Sequence, residues 1–428
     1  MSIDLKQIVS DDGCYVSRRV FADETLYRME QQYIFAHSWL YLAHESQFRE
    51  PGDFLTTFMG ETPVIVALGA DGAVHASINS CTHRGVPVCR AEHGNAKSFV
   101  CPYHNWAFSV EGDLQAIPQE RRVSCKADKS QLGLRKVPRI ESYRGLLFGS
   151  LDENIEPLER YLGNARFYLD SYFDRFDGGV EVVGPAHKWL VGANWKVPVE
   201  NQMGDVGHAP FLHGSLLAGT PAVTELHEYG FNTAPEPGHG ASVRLFPEDS
   251  DPASIAWGTE GINMATPDPD FKEYLLEVQN RAVERLGVGG RIKGLTYGVF
   301  PNFNFLWSNS AIRVSHPRAP GKVEYWSWWV VPSAASDSIK KMLRRNYNLM
   351  FGPGGLLEQE DSDSWAQQFV GSSIRAVDDL PYYYGLGAGE ESPHAELPGQ
   401  TGNCFNELYA REFFKRWRRE LEKEGTPS

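Results

Sequence analysis

Cysteine is scarce. Only Cys14, Cys81, Cys89, Cys101, Cys125 and Cys404 occur in 428 residues, with no regular framework spacing. That scatter argues against a disulfide-stapled scaffold, and a chain of this length can bury a core without staples. Long apolar runs are also missing: no stretch approaches the roughly 18 to 20 apolar residues of a membrane span, and the mean hydropathy of -0.38 suits a globular chain. Positive charge is in deficit, 41 Lys and Arg against 55 Asp and Glu, so a basic face for nucleic acid is not expected. The chain has no internal repeat, no low-complexity tract and no flavin or nucleotide fingerprint. Its first nine residues lack the basic-then-apolar pattern of a leader. Together these absences lead to the expectation of a reducing, cytoplasmic setting with no membrane or nucleic-acid partner.

Glycine, proline and aromatic residues are plentiful, which suits short strands joined by tight turns. Asp23 can cap an opening helix that carries Leu26, Met29, Tyr33 and Ile34 at helical spacing. From Asp53 to Leu151 short apolar runs alternate with turn signals such as Gly69-Ala70-Asp71-Gly72, the pattern of a small all-β unit. Beyond Glu156 helical patterns appear at Leu158 to Phe173 and Pro198 to Leu217. Strands are expected at Leu295 to Asn304, Ala311 to His316 and Val323 to Val331. Helices are expected at Ser336 to Met350, Gly355 to Val370 and Phe405 to Lys423, and the Gly- and Pro-rich stretch from Leu386 to Cys404 is expected to run over the surface. The overall expectation is an α+β chain in three parts: a helical segment over 1–37 packing on the last domain, an all-β domain over 38–156, and a domain over 157–428 with an antiparallel sheet flanked by helices.

Two pairs of residues carry the first chemistry. Cys81-Thr82-His83 and Cys101-Pro102-Tyr103-His104 each lie where a short strand meets a loop, so two loop tips can grip one metal centre. In a Rieske [2Fe-2S] centre two thiolates hold one iron and two imidazoles the other, which raises the potential above that of an all-Cys cluster. A structural zinc ion is the competing reading, since zinc takes the same ligands. Cys89 breaks the two-pair pattern and reads as a buried thiol. His93 reads as a solvated loop residue.

The second set is His208 and His213, five residues apart. On an ideal helix that step turns about 140°, so a shared target needs a bend, and Pro210 between them supplies a reason for one. Asp205 can accept a proton from the non-ligating nitrogen of His208. Two imidazoles and one carboxylate leave positions open on an iron for O2 and substrate. The acids from Glu358 to Asp363 offer the carboxylate. If this stretch is helical, Leu357, Asp361, Trp365 and Phe369 share one stripe, so Asp361 is the candidate ligand with Glu360 in reserve.

With Asn194-Trp195-Lys196, Glu200-Asn201 and Phe351-Gly352-Pro353 added, the chain resembles the aromatic-ring-hydroxylating Rieske oxygenases, large subunit, on the naphthalene dioxygenase-like branch. The resemblance spans nearly the full length. It implies one [2Fe-2S] cluster on Cys81, His83, Cys101 and His104, and one mononuclear Fe(II) on His208, His213 and Asp361. It implies cis-dihydroxylation of a polycyclic, biaryl or carboxylated arene with O2, using electrons from an external NAD(P)H reductase and ferredoxin. A Rieske monooxygenase of the salicylate-hydroxylase or demethylase type is the alternative, and a zinc-stapled binding protein a distant one. A homotrimer or an α3β3 hexamer with a small subunit is further implied, with Asp205 bridging the histidines of two neighbouring subunits. Asn201 is implied near the iron without being a firm ligand, and Gln202, Ala209, Leu306, Phe351 and Leu357 in the substrate pocket. Gln202 stands where that branch usually has an aromatic residue, and Gly294 near a position where it has His.

Overall fold

In a computed structural model, residues 3–122, 128–217, 222–258 and 269–423 are described; Cys125 lies outside them. The chain divides into two compact units, residues 35–158 and a second unit that joins the opening segment, up to residue 34, to everything from residue 159 on.

The smaller unit is all-β. Asp53–Met59, Thr62–Leu68, Val74–Ile78 and His93–Asn95 form one antiparallel sheet, and Ser98–Val100, Ala107–Ser109 and Leu114–Ala116 a second. Alternate residues of these strands, with Cys81, Cys89 and Cys101, close a small core around Phe54, Phe99 and Phe108. Arg139–Tyr143, Leu146–Ser150 and Leu40–His44 make a third sheet.

The larger unit is built on a ten-stranded antiparallel sheet. Its centre runs through Gly230–Ala234, Gly240–Leu245, Ile292–Val299, Phe303–Leu306, Ala311–Ala319 and Lys322–Pro332. The single strand expected over Leu295 to Asn304 is two strands paired as a hairpin, Thr296 opposite Leu306, because Pro301 cannot donate to a ladder. The stretch from Leu386 to Cys404 does not simply cover the surface: Gln400–Asn403 pairs with Gly230–Ala234, and Leu397 and Cys404 are buried.

Three helices carry the residues of the candidate site: α1 (Lys196–Gly204), α2 (Ala209–Leu212) and α3 (Leu356–Ser372). Glycine lets α1 lie close on the sheet. A Cβ built at Gly240 or Gly298 would come 2.4 or 2.7 Å from Cγ of Met203, too near for any side chain to fit without movement. The opening helix is capped by Asp23, whose carboxylate accepts from the amides of Thr25 and Leu26, and it passes at Glu30 into a π-helical turn. Glu30 is fully buried in the same unit as α1. It pairs with Lys196 Nζ at 2.5 Å and accepts from the indoles of Trp195 (2.7 Å) and Trp417 (2.8 Å). Asn194 Nδ2 donates to the carbonyls of Phe21 and Pro320, so the Asn-Trp-Lys run is the anchor that fixes the start of α1.

Candidate functional site

The two Cys-His loops share one backbone design. Gly85 N donates to Cys81 O (2.7 Å) and Asn105 N to Cys101 O (2.9 Å), while Cys81 N and Cys101 N donate onward to Val86 O and Trp106 O. Each loop therefore needs a left-handed residue four places after its cysteine, and Gly85 (φ 75°) and Asn105 (φ 58°) supply it. Both thiols are buried. Burial raises the Cys81 thiol, the backbone N–H groups of His83 and Arg84 that point at its sulfur pull the other way, and the neighbouring Cys101 raises it further. The His83 ring stacks on Trp106 (4.9 Å, 3°) and meets the His104 ring at 4.6 Å, and its buried Nδ1 has no partner among the described residues.

Among the described residues, the one group of three or more ligands whose donor atoms all lie within 4.8 Å is His208, His213 and Asp361. The Cys81 and Cys101 thiols adjoin and the His83 and His104 rings meet, a set of two thiols and two imidazoles that fits a two-iron cluster.

The bend expected at Pro210, between the two histidines, lies instead ahead of both. The helical stretch expected from Pro198 to Leu217 is broken after Gly204, where Asp205 leaves helical geometry (φ −78°, ψ 76°). Pro210 instead sits in the first turn of α2, where its missing N–H costs nothing. His208 and His213 bracket that one-turn helix and their rings meet at 5.2 Å.

Both Nε2 atoms face Asp361 Oδ1, at 3.3 Å from His208 and 3.2 Å from His213. Yet Asp361 Oδ1 is buried and makes no hydrogen bond of acceptable geometry. Three donors that converge without bonding one another are what a bound cation would satisfy, and imidazole and carboxylate suit Fe(II). The far side of each ring is held as well. His213 Nδ1 donates to Glu360 Oε2 at 2.7 Å. His208 Nδ1 lies 3.3 Å from Asp205 Oδ2 and 3.3 Å from Asn201 Nδ2. Of these two contacts the carboxylate is the one a protonated Nδ1 can use, and ligation through Nε2 requires that tautomer. Glu360, the reserve ligand, therefore supports His213 from behind. Without a metal, burial would lower His208, but the carboxylates of Asp205 and Asp361 outweigh it and lift the imidazole to about 10. Burial works on Asp361 in the opposite direction, and the two imidazoles hold it below its ordinary value.

Asp361 is delivered by α3 with Leu357 and Trp365 on its buried stripe, and Asp363 points outward. Two fully buried groups fix that helix: Arg313, to which sequence reasoning gave no role, and Glu358, which it counted only among the candidate acids. Arg313 Nη1 donates to Glu358 Oε2 (2.6 Å) and Nη2 to Phe351 O (2.8 Å), tying α3 and the Phe351 loop to the sheet. A charged residue inside an apolar strand pattern, Ala311-Ile312-Arg313-Val314, was the available signal.

A cavity of about 120 Å³ opens beside the triad, and Gln202, Ala209, Leu306, Phe351 and Leu357 all line it. So do Arg244, Thr296 and Ser308, which the sequence did not single out. Arg244 interrupts the buried strand Gly240–Leu245, again a charge where alternation predicts none. Gly294 has no room for a side chain: a Cβ there would meet Tyr297 Oη at 2.2 Å and Trp307 at 2.8 Å. His93 is exposed, and Cys89 is buried with its amide donating to Asn79 Oδ1.

Residues 38–137 match the Rieske [2Fe-2S] domain family, and residues 158–422 match the ring hydroxylating alpha subunit (catalytic domain) family. The chain is 34% identical to a benzene 1,2-dioxygenase subunit alpha of Pseudomonas putida, covering 97% of this chain and 92% of that one. It is 32% identical to the biphenyl dioxygenase subunit alpha of Paraburkholderia xenovorans, again over 97% and 92%. Among solved structures, a naphthalene 1,2-dioxygenase variant with phenanthrene bound superposes with a TM-score of 0.88 at 30% identity, covering 98% and 95% of the two chains. Naphthalene 1,2-dioxygenase from Rhodococcus sp. with indole bound gives 0.85 at 30% identity, covering 99% and 97%.

Proposed function

The chain belongs to the Rieske-type ring-hydroxylating oxygenase large subunits, and from that premise we propose that it adds both atoms of O2 to an arene as a cis-dihydrodiol, the arene being polycyclic, biaryl or carboxylated. The observation that carries the reading is the converging triad, whose buried Asp361 oxygen faces two imidazoles without bonding to them, at the wall of a largely apolar cavity. When bound, the cluster would supply electrons singly and the mononuclear iron a site where O2 and ring meet.

The remaining work falls to this chain's residues. Cys81, Cys101, His83 and His104 would hold the cluster, and the amides of His83 and Arg84, directed at the Cys81 sulfur, would raise the cluster's potential. Asp205 and Glu360 hold the Nδ1 protons of His208 and His213, leaving both Nε2 lone pairs for the metal. Leu306, Phe351 and Leu357 exclude water and orient the ring over the triad. Asp205 keeps a partly exposed carboxylate 3.3 Å from His208, which suits it to couple a neighbouring subunit's cluster to this iron in a homotrimer or α3β3 ring. Electrons would come from an NAD(P)H reductase through a ferredoxin. No helix of the described residues is long and apolar enough to cross a membrane.

The test is metal and acid-labile sulfide content of anaerobically purified protein, with electron paramagnetic resonance of its reduced form. About three irons and two sulfides per chain with a Rieske signal are expected. Zinc without sulfide overturns the reading. Turnover under labelled O2 then separates two incorporated oxygens from the one expected of a monooxygenase.

A further inference from the structure

Gln202 sits on α1 and lines the cavity, and the orientation of its amide is fixed by a chain of donors. Arg313 can only donate, and its Nη1 reaches Tyr325 Oη at 3.4 Å while its main bond goes to Glu358. Tyr325 Oη in turn donates its own hydrogen to Gln202 Oε1, 2.6 Å away. That is the one hydrogen bond Gln202 makes among the described residues, so its Nε2 hydrogens are left for whatever fills the cavity. The buried Arg313–Glu358 pair therefore acts at a distance. It holds Tyr325 in place, and the Tyr325 bond to Oε1 leaves Gln202 an N–H and not a carbonyl to offer.

Two further groups in the same wall are of matching sign. Thr296, 7% exposed, has an Oγ1 with no partner among the described residues. Arg244, 1% exposed, lines the cavity and brings the one permanently positive side chain among its described lining residues. A bare hydrocarbon in this space would leave the Gln202 amide hydrogens and the Thr296 hydroxyl desolvated and unanswered. An arene with an oxygen acceptor would satisfy them, and a site built to donate disfavours ligands that cannot accept.

Resting on the oxygenase reading, we infer that Gln202 is a specificity-determining residue and that the substrate is an arene carrying an acceptor oxygen, in a hydroxyl, carbonyl or carboxylate group. Tyr325 is its positioning residue.

The experiment compares dissociation constants of three probes of similar size on the iron-loaded holoenzyme, held anaerobic and unreduced so that no turnover occurs. The probes are ethylbenzene, acetophenone and benzoate. Acetophenone is expected to bind at least about tenfold more tightly than ethylbenzene, the worth of one buried hydrogen bond. Gln202→Leu should bring that ratio to about one, and Tyr325→Phe, which frees the amide to turn, should reduce it part of the way. Benzoate, which also carries acceptor oxygens, should bind more tightly than ethylbenzene. Equal or tighter binding of ethylbenzene by the natural protein overturns the inference, as does a ratio that survives Gln202→Leu. Should Gln202→Leu fail to fold, the natural protein's ratio and Tyr325→Phe still decide it. Protein that cannot be loaded with the two metal centres brings down the oxygenase reading and this inference together; a hydrocarbon preference, or binding of none of the three, in a fully loaded enzyme brings down this inference alone.

Discussion

Removing the carboxylate of Asp361 should empty one metal site and spare the other. Its Oδ1 is 3.3 and 3.2 Å from the two Nε2 atoms, and nothing else among the described residues joins that group of donors. Asp361→Ala leaves two imidazoles alone, so the iron content should fall from about three to about two per chain while sulfide stays at about two. Glu360→Gln is a different perturbation. It replaces the carboxylate that holds His213 Nδ1 at 2.7 Å, and losing such a support costs about 10- to 100-fold in metal affinity, or about 1.4 to 2.8 kcal/mol. That variant should keep its third iron at saturating metal and lose it to a competing chelator at a lower concentration than the natural protein. Asp363→Ala, on the outward face of the same helix, should change nothing. The assay is elemental iron and sulfide with a chelator titration on each variant. A full third iron in Asp361→Ala would refute the reasoning, and so would a Glu360→Gln variant that is depleted to the same extent, since that would exchange the two roles.

Lys196→Met should destabilise the larger unit by about 3 to 5 kcal/mol, because it strands the buried Glu30 carboxylate with two indole donors. Denaturant unfolding measures this, and a loss below about 1 kcal/mol would show that Glu30 does not depend on Lys196. Glu200 is held by Tyr384 and Gln368, and burial pushes its carboxyl from 4.5 up to about 8. The folded chain thus keeps a proton that the unfolded chain releases; the stability this contributes is present below pH 4.5 and lost as pH rises through about 8. Glu200→Gln should accordingly gain in melting temperature relative to the natural protein across that range, and parallel pH profiles would contradict it. His83→Ala should abolish the Rieske signal and labile sulfide while a separately titratable mononuclear iron remains, and loss of both metals at once would argue against two independent sites.

Much of the chemistry was legible in one dimension. The two Cys-His pairs are local: each needs only a tight loop, and the loop's requirements are written beside the ligands in Gly85 and Asn105. Helical periodicity was enough to choose Asp361 over Asp363, because an acid on an apolar stripe must be answered by something buried with it. A bend at Pro210, between the histidines, was expected; the chain instead leaves the helix ahead of both, at Asp205. Proline interrupts a helix only where a donor is needed behind it, and at Pro210 none is.

What periodicity could not supply were the partners drawn from far along the chain. Glu30 meets Lys196 and Trp417, and Arg313 meets Glu358 and Tyr325, over separations that no local pattern encodes. Which side chains could hold metal was readable from the chain alone, since ligand type and short spacing are local properties. Only the tertiary structure decided which way Gln202 presents its amide and which donors line the cavity. Those outcomes depend on buried charges whose cost is met by a partner on another strand or helix, and that pairing exists only once the sheet and helices have closed around them.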